Sequence, residues 1–386
     1  MRTTWSVAAI RGSLILAIVL GLVLGTGCEP AIKAEKTIKI GVIAPITGSI
    51  PVVGQSTVNA AKLAVQEVNA AGGLEVGGQK IKVELFVEDN QDKKETAISA
   101  AQRLINQSGV VAIIGPQASR NAIPAATIAE ESRIPMISPW STNPETTAGK
   151  EYVFRVAFID PFQGRVMARF AVEELGSERA AVLYDVASEY NRGIAEIFKQ
   201  VYEDAGGKVV AFETYTTGEK DFKTQLTAIK ASGAQVLFLP NYYNEVPLQI
   251  KQARELGVEA TIIGADAWGQ IKVADLANME GLFFSTHYDS ASPSAQQFVA
   301  AYQAAYGEVP DDVAALTYDA FGMLFEALRS QGKTDPEAIR NGLASISHYE
   351  GVTGTMEYKG TGDPVKSAVI LQIKEGQFHF YRLAEP

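Results

Sequence analysis

The stretch TIKIGVIA at 37–44, followed by TVNAAKLAVQEVNAAGG at 57–73 and IKVELFV at 81–87, decides the fold. The first is a short Ile- and Val-rich run, the pattern of a strand buried on both faces. The second sets Val58, Ala61, Val65 and Val68 on one face of a helix. It stops at Gly72-Gly73, a pair able to take the left-handed conformation that closes helices. In the third, Ile81, Val83, Leu85 and Val87 share one side of a strand. A strand, a helix and a second strand in that order predict a parallel pair covered by its crossover helix.

The same alternation runs on from this unit. Glu95 to Gln107 and Ala118 to Glu130 read as helices, and Val110 to Ile114 and Ile134 to Ser138 as strands. The pattern restarts at Asp160-Pro161, where Asp reads as the cap and Pro as the first turn of a helix. Helices at Phe162–Leu175 and Glu189–Ala205 flank a strand at Ala180–Tyr184. The alternation continues to a strand at Gly281–Ser285. Three helices then follow, at Ser294–Tyr306, Asp312–Arg329 and Pro336–Ala344, and a hairpin at Val369–Ile373 and Phe378–Arg382. Two units of about 120 residues each fall in the usual domain range. The expected class is α/β, with ligand chemistry beyond the carboxyl ends of the strands.

Composition narrows the function. The chain has 386 residues, 47% of them hydrophobic, and a net charge of −10. That charge disfavours binding to nucleic acid. A mean hydropathy of +0.03 excludes a polytopic membrane protein and a disordered chain. One Cys and three His rule out a disulfide framework and argue against a metal site built on these side chains. Residues 1–27 read as a signal peptide: Arg2 and Arg11 precede an apolar run from Leu14 to Leu24 that is short for a membrane span. Leu24-Gly25-Thr26-Gly27-Cys28 resembles a bacterial lipobox, with Gly25 where Leu is usual. Cys28 is thus expected to be lipidated, with 28–36 as a tether to the membrane.

Catalytic signatures are missing. There is no G-x-S-x-G, H-E-x-x-H or G-x-G-x-x-G. His287, His348 and His379 lie in separate segments and read as surface or packing residues. Ala327 to Thr334 mimics a phosphate loop, but it ends one helix and precedes another, so it offers no strand-to-helix cradle. The chain is not expected to be an enzyme or to use a cofactor.

The loops after the strands carry the chemistry. Gly115-Pro116-Gln117-Ala118-Ser119 opens a helix, whose unpaired N–H groups suit a carboxylate; Ser119 adds a hydroxyl or serves as an N-cap. Ser138-Pro139-Trp140-Ser141-Thr142 adds polar groups and a large aromatic. In the second unit the loops hold Asp185 and Tyr190, Asn241-Tyr242-Tyr243, and Asp266 with Trp268. Neutral donors face an acid and aromatics. This set matches a zwitterion with an apolar side chain: carboxylate on Ser119 and Thr142, ammonium on Asp266, side chain on Trp140 and the tyrosines.

The chain resembles the Leu/Ile/Val-binding family, the type I periplasmic solute-binding components of ABC importers. The resemblance spans 37–386. It is carried by GVIAPITG at 41–48, AVQEVNAAGG at 64–73, IIGP at 113–116, ISP at 137–139, QARELG at 252–257 and YEGVTG at 349–354. It implies two Rossmann-like lobes with parallel sheets joined by three crossings that act as a hinge, with lobe 1 at 37–157 plus 287–352 and lobe 2 at 158–286 plus 353–386. By position it implies Ser119 for the ligand carboxylate and Thr142 for carboxylate and ammonium. The main chain at Trp140, beside Ser141, serves the ammonium. Tyr190 and Tyr242 lie over the ligand, and Asp266 stands where the family commonly has Glu. Trp140 stands where small residues are common, so it either shrinks the pocket or stacks on a flatter ligand. The implied role is delivery of a branched-chain or aliphatic amino acid to an ABC permease by a monomer anchored in the bacterial periplasm or at the cell surface. The alternatives are an amide, urea-like or aromatic-acid ligand, or service to a receptor as a ligand-sensing partner.

Overall fold

The computed structural model describes residues 37–386. The expected signal peptide, the tether and Cys28 lie outside the described residues. The first sheet is built from β1 (Thr37–Ala44), α1 (Pro51–Ala70), β2 (Leu74–Val76), β3 (Gln79–Asp89), α2 (Lys94–Arg103), β4 (Ala112–Ile114), α3 (Ser119–Glu131), β5 (Met136–Ser138) and β6 (Val153–Arg155). Its order is β2-β3-β1-β4-β5-β6. All pairs are parallel except the β2–β3 hairpin.

The chain then enters α4 (Asp160–Arg169), β7 (Arg179–Asp185), α5 (Glu189–Asp204), β8 (Lys208–Tyr215), α6 (Lys223–Ser232), β9 (Val236–Leu239), α7 (Val246–Glu255), β10 (Thr261–Gly264), α8 (Val273–Leu276) and β11 (Phe283–Thr286). It returns for α9 (Gln296–Tyr306), α10 (Asp312–Gln331), α11 (Pro336–Ser345) and a small sheet of β12 (His348–Gly351), β13 (Gly354–Tyr358) and β14 (Pro364–Val365). It ends in the hairpin of β15 (Ala368–Lys374) and β16 (Gln377–Ala384), which extends the second sheet in the order β16-β15-β11-β10-β9-β7-β8.

The alternating pattern thus folds as two parallel-sheet lobes. Every residue of β4, β5 and β9 is buried, which is why these strands read as continuous apolar runs rather than alternations. Gly72 and Gly73, at φ +100° and +117°, end α1 as the sequence signals. The α10 helix closes on Gly332 in the left-handed region, and Asp335 caps α11 through Ala338 N. The phosphate-loop mimic is therefore an ordinary junction between two helices.

The chain passes between the sheets three times: after β6, after β11 and before β15. Residues 354–365, expected with lobe 2, bond to the first lobe instead. The Tyr358 hydroxyl donates to Arg155 O at 2.7 Å, and the Thr147 hydroxyl donates to Asp363 at 2.6 Å. We therefore place the third crossing near Lys366 rather than at 352/353. The start of α4 also differs. The extended residue is Ile159 (ψ 153°), so Asp160 is the first helical residue and its side chain caps nothing.

Candidate functional site

In each sheet the strand order reverses once. β1 pairs with β3 on one side and β4 on the other; β7 pairs with β8 and with β9. Such reversals leave a crevice at the carboxyl ends of the strands. The loops after β4, β5, β7, β9 and β10 converge there. They enclose a small cavity lined by Gln117, Ala118, Ser119, Trp140, Tyr190, Tyr242 and Asp266. Five of the seven residues expected at the site are in that lining; Ser141 and Thr142 are not.

On the first lobe, Ser141 lies behind Ser119. Its hydroxyl donates to Ser119 Oγ at 2.9 Å and is 2.7 Å from Thr146 Oγ1. A hydroxyl has one proton, so Thr146 must donate to Ser141. The Ser119 proton is then free for the cavity. Ser119 does not act as a helix cap, since α3 has no side-chain cap and Ala118 holds the capping position. The Thr142 carbonyl accepts from Asp160 N at 2.8 Å, and its buried hydroxyl lies by the Asp160 carboxyl. Gln117 is also buried, and neither end of its amide has a partner. Buried polar groups are almost always satisfied, so an orphan amide in a cavity wall marks a place for a polar ligand group.

Arg155 fixes this half. It is fully buried, and it donates to Ser141 O at 2.7 Å, Asn143 O at 2.8 Å and Thr147 Oγ1 at 2.8 Å. Its Nε pairs with Asp363 at 2.6 Å. Trp140 is also held in place. Its indole N–H donates to Asp312 at 3.1 Å, and its ring lies 5.9 Å from that of Tyr242.

On the second lobe, Asp266 is 1% exposed. One oxygen accepts from the Tyr190 hydroxyl at 2.6 Å, and the other lies 3.3 Å from His287 Nε2. Burial, and then the charge on Asp266, push the Tyr190 hydroxyl well above its ordinary pKa, so it stays a donor. Tyr190 and Tyr242 pack with ring centres 5.3 Å apart. Trp268, expected as part of an aromatic clamp, faces inward instead. It is fully buried over Gly264, where any Cβ would come within 2.1 Å of the indole, and its N–H is spent on Leu239 O.

Contacts between the lobes close the cavity. Val52 N donates to the Tyr243 hydroxyl at 3.3 Å, and Asn143 Nδ2 to Glu189 O at 3.1 Å. Gln270 donates to Asp312. Arg120, paired twice with Asp92, lies 4.7 Å above the Tyr242 ring, a cation–π contact across the cleft. Asp160 is buried near Asp266, and burial raises its pKa to about 8 against the lowering effect of the Thr142 hydroxyl.

Gln117, Arg120, Arg155, Asp160, His287 and Asp312 belong to this site, yet the sequence did not single them out for it. Asp160 and His287 drew notice, one as a helix cap and the other as a packing residue. Among the described residues no group of three or more His, Cys, Asp or Glu is placed to hold a metal. No helix among them is long and apolar enough to cross a membrane.

The sequence profile of the periplasmic binding proteins matches residues 37–377. The chain belongs to this family. A Pseudomonas aeruginosa protein named for binding leucine, isoleucine, valine, threonine and alanine is 30% identical, with 86% of this chain and 88% of that one covered. A leucine-binding protein of Thermotoga maritima superposes with a TM-score of 0.84 at 34% identity, covering 91% and 99% of the two chains. A Streptococcus pneumoniae branched-chain amino acid transporter substrate-binding protein, solved with isoleucine, gives 0.83 at 31% identity over 91% and 100%.

Proposed function

We propose that this protein binds an aliphatic amino acid between its two lobes and delivers it to the permease of an ABC importer, without chemical turnover. The observation that carries the reading is the split of the cavity wall. A free Ser119 proton and an orphan Gln117 amide lie on one lobe, and a buried carboxylate, Asp266, on the other. That split is complementary to a zwitterion. Ser119 and Gln117 bind the carboxylate, with Thr142 beside them; Asp266 pairs with the ammonium. Trp140, Tyr190 and Tyr242 supply the apolar wall. The names of the relatives support the ligand class.

Binding and closure are one event in this reading. The contacts that span the cleft form when the lobes hinge about the three crossings, and a ligand touching both lobes adds its energy to the closed state. Lipidation at Cys28 holds the protein at the membrane outside the cytoplasm, and it works as a monomer.

The test is a thermal-shift panel of the twenty amino acids with urea, amides and aromatic acids, on protein unfolded and refolded to strip carried ligand. Saturation at about 100 times Kd adds roughly 2.7 kcal/mol of stability. Aliphatic amino acids should raise Tm. A rise only with ligands that lack an ammonium would remove Asp266 from its role and overturn the reading.

A further inference from the structure

The acid that faces the cleft is held by a residue of the hinge. His287 follows β11 directly, on the second crossing between the lobes. Its side chain is fully buried, with Nε2 3.3 Å from Asp266 and the ring stacked on Phe158 of the first crossing at 3.7 Å between centres. From the third crossing, Lys366 faces it. Lys366 is itself buried and donates to Thr353 Oγ1 at 2.6 Å and Val156 O at 3.4 Å. All three crossings thus meet at one imidazole, whose far side borders a groove lined by Tyr288, Val352, Ser367 and Phe380.

We propose that His287 is a positioning residue: its Nε2–H aims the Asp266 carboxylate at the ligand ammonium. The proposal rests on the amino-acid reading of the cavity.

Hydrogen bonding fixes the tautomer. A carboxylate accepts only, so Nε2 must carry the proton. Nδ1 is then bare, buried and without a partner. A second proton on Nδ1 would be a buried donor with nothing to bond, which costs free energy. Burial and the Lys366 charge oppose that proton, while Asp266 favours it; burial is the largest effect, so the pKa falls below 6.5. The other charged groups nearby are Asp160, across Asp266, Asp319, which faces Lys366, and Asp289 at the groove. At neutral pH the His287–Asp266 pair carries one negative charge, which an ammonium balances. Because His287 stays neutral, it holds the carboxylate without cancelling its charge, and removing the donor weakens the ammonium contact. A ligand with only a carboxylate feels no such loss.

The experiment is calorimetric titration of the protein at pH 7.5 with L-leucine and with 4-methylpentanoate, which lacks the ammonium. His287→Gln keeps an N–H donor near the Nε2 position. His287→Phe keeps an aromatic ring against Phe158 and removes the donor. The expected result has two parts. His287→Gln binds leucine like wild type. His287→Phe binds leucine at least about tenfold more weakly, with 4-methylpentanoate unchanged. Equal leucine affinity in wild type and His287→Phe would overturn the proposal and leave the functional reading standing. No response of the wild type to any amino acid would overturn both. If His287→Phe does not fold, His287→Leu, which also lacks the donor, is read in its place against His287→Gln.

Discussion

The two walls of the cleft solve opposite problems by different means. On the first lobe, Ser119, Ser141 and Thr146 form a chain of neutral hydroxyls. A buried cation, Arg155, holds their loop by its carbonyls and never reaches the cavity lining. On the second lobe the charge itself lines the cavity: Asp266 is held by Tyr190 and His287. Bare charge is costly to bury, so it is kept where a ligand charge can meet it. A carboxylate needs only pre-aimed O–H and N–H donors, so the first wall keeps its charge in the scaffold. The lesson is that a site's charge and its rigidity are separable, and here they sit on different lobes.

Breaking the scaffold should have the largest effect. Arg155→Ala leaves Ser141 O, Asn143 O and Asp363 without their donor, and should cost about 3–5 kcal/mol of unfolding free energy in urea titration. Removing the charge on the other wall should hit binding hardest. Asp266→Ala should weaken an aliphatic amino acid by about 100-fold in calorimetry, because the buried ammonium loses its counter-charge. Ser119→Ala removes one neutral donor to a carboxylate and should cost about tenfold. If the two variants lost affinity equally, the walls would not differ as argued.

A pH dependence of stability is expected at Asp160. Its folded pKa is raised from 3.8 to about 8, mainly by burial. The folded protein therefore binds more protons here than the unfolded chain, and this group's contribution to stability is lost as pH rises from about 4 through 8. Asp160→Asn should match wild type near pH 4 and become progressively more stable than wild type as pH rises toward 8 in denaturant melts. Equal stability at both pH values would mean that Asp160 is not a strained acid.

What the sequence reveals follows physical range. The alternation of elements is local, and β1, α1 and β3 could be read directly because apolar period and glycine stops act within a few residues. The converging loops were legible for the same reason, since they follow strands. Asp160 was misread because a cap depends on the backbone of Ile159, which residue type does not report. Arg155 and His287 were missed as site residues because their roles depend on distant partners. Arg155 pairs with Asp363, and His287 stacks on Phe158. Trp268 and Tyr242 both looked like loop-tip aromatics. Only packing distinguishes them: Gly264 leaves room for the Trp268 indole to turn into the core.

The most direct measurement compares L-leucine with its two halves, 4-methylpentanoate and 3-methylbutylamine, by calorimetric titration at pH 7.5. If one wall takes the carboxylate and the other the ammonium, each half should bind at least about 100-fold more weakly than leucine. Equal affinity for leucine and 4-methylpentanoate would contradict the assignment of Asp266 and the division of labour between the walls.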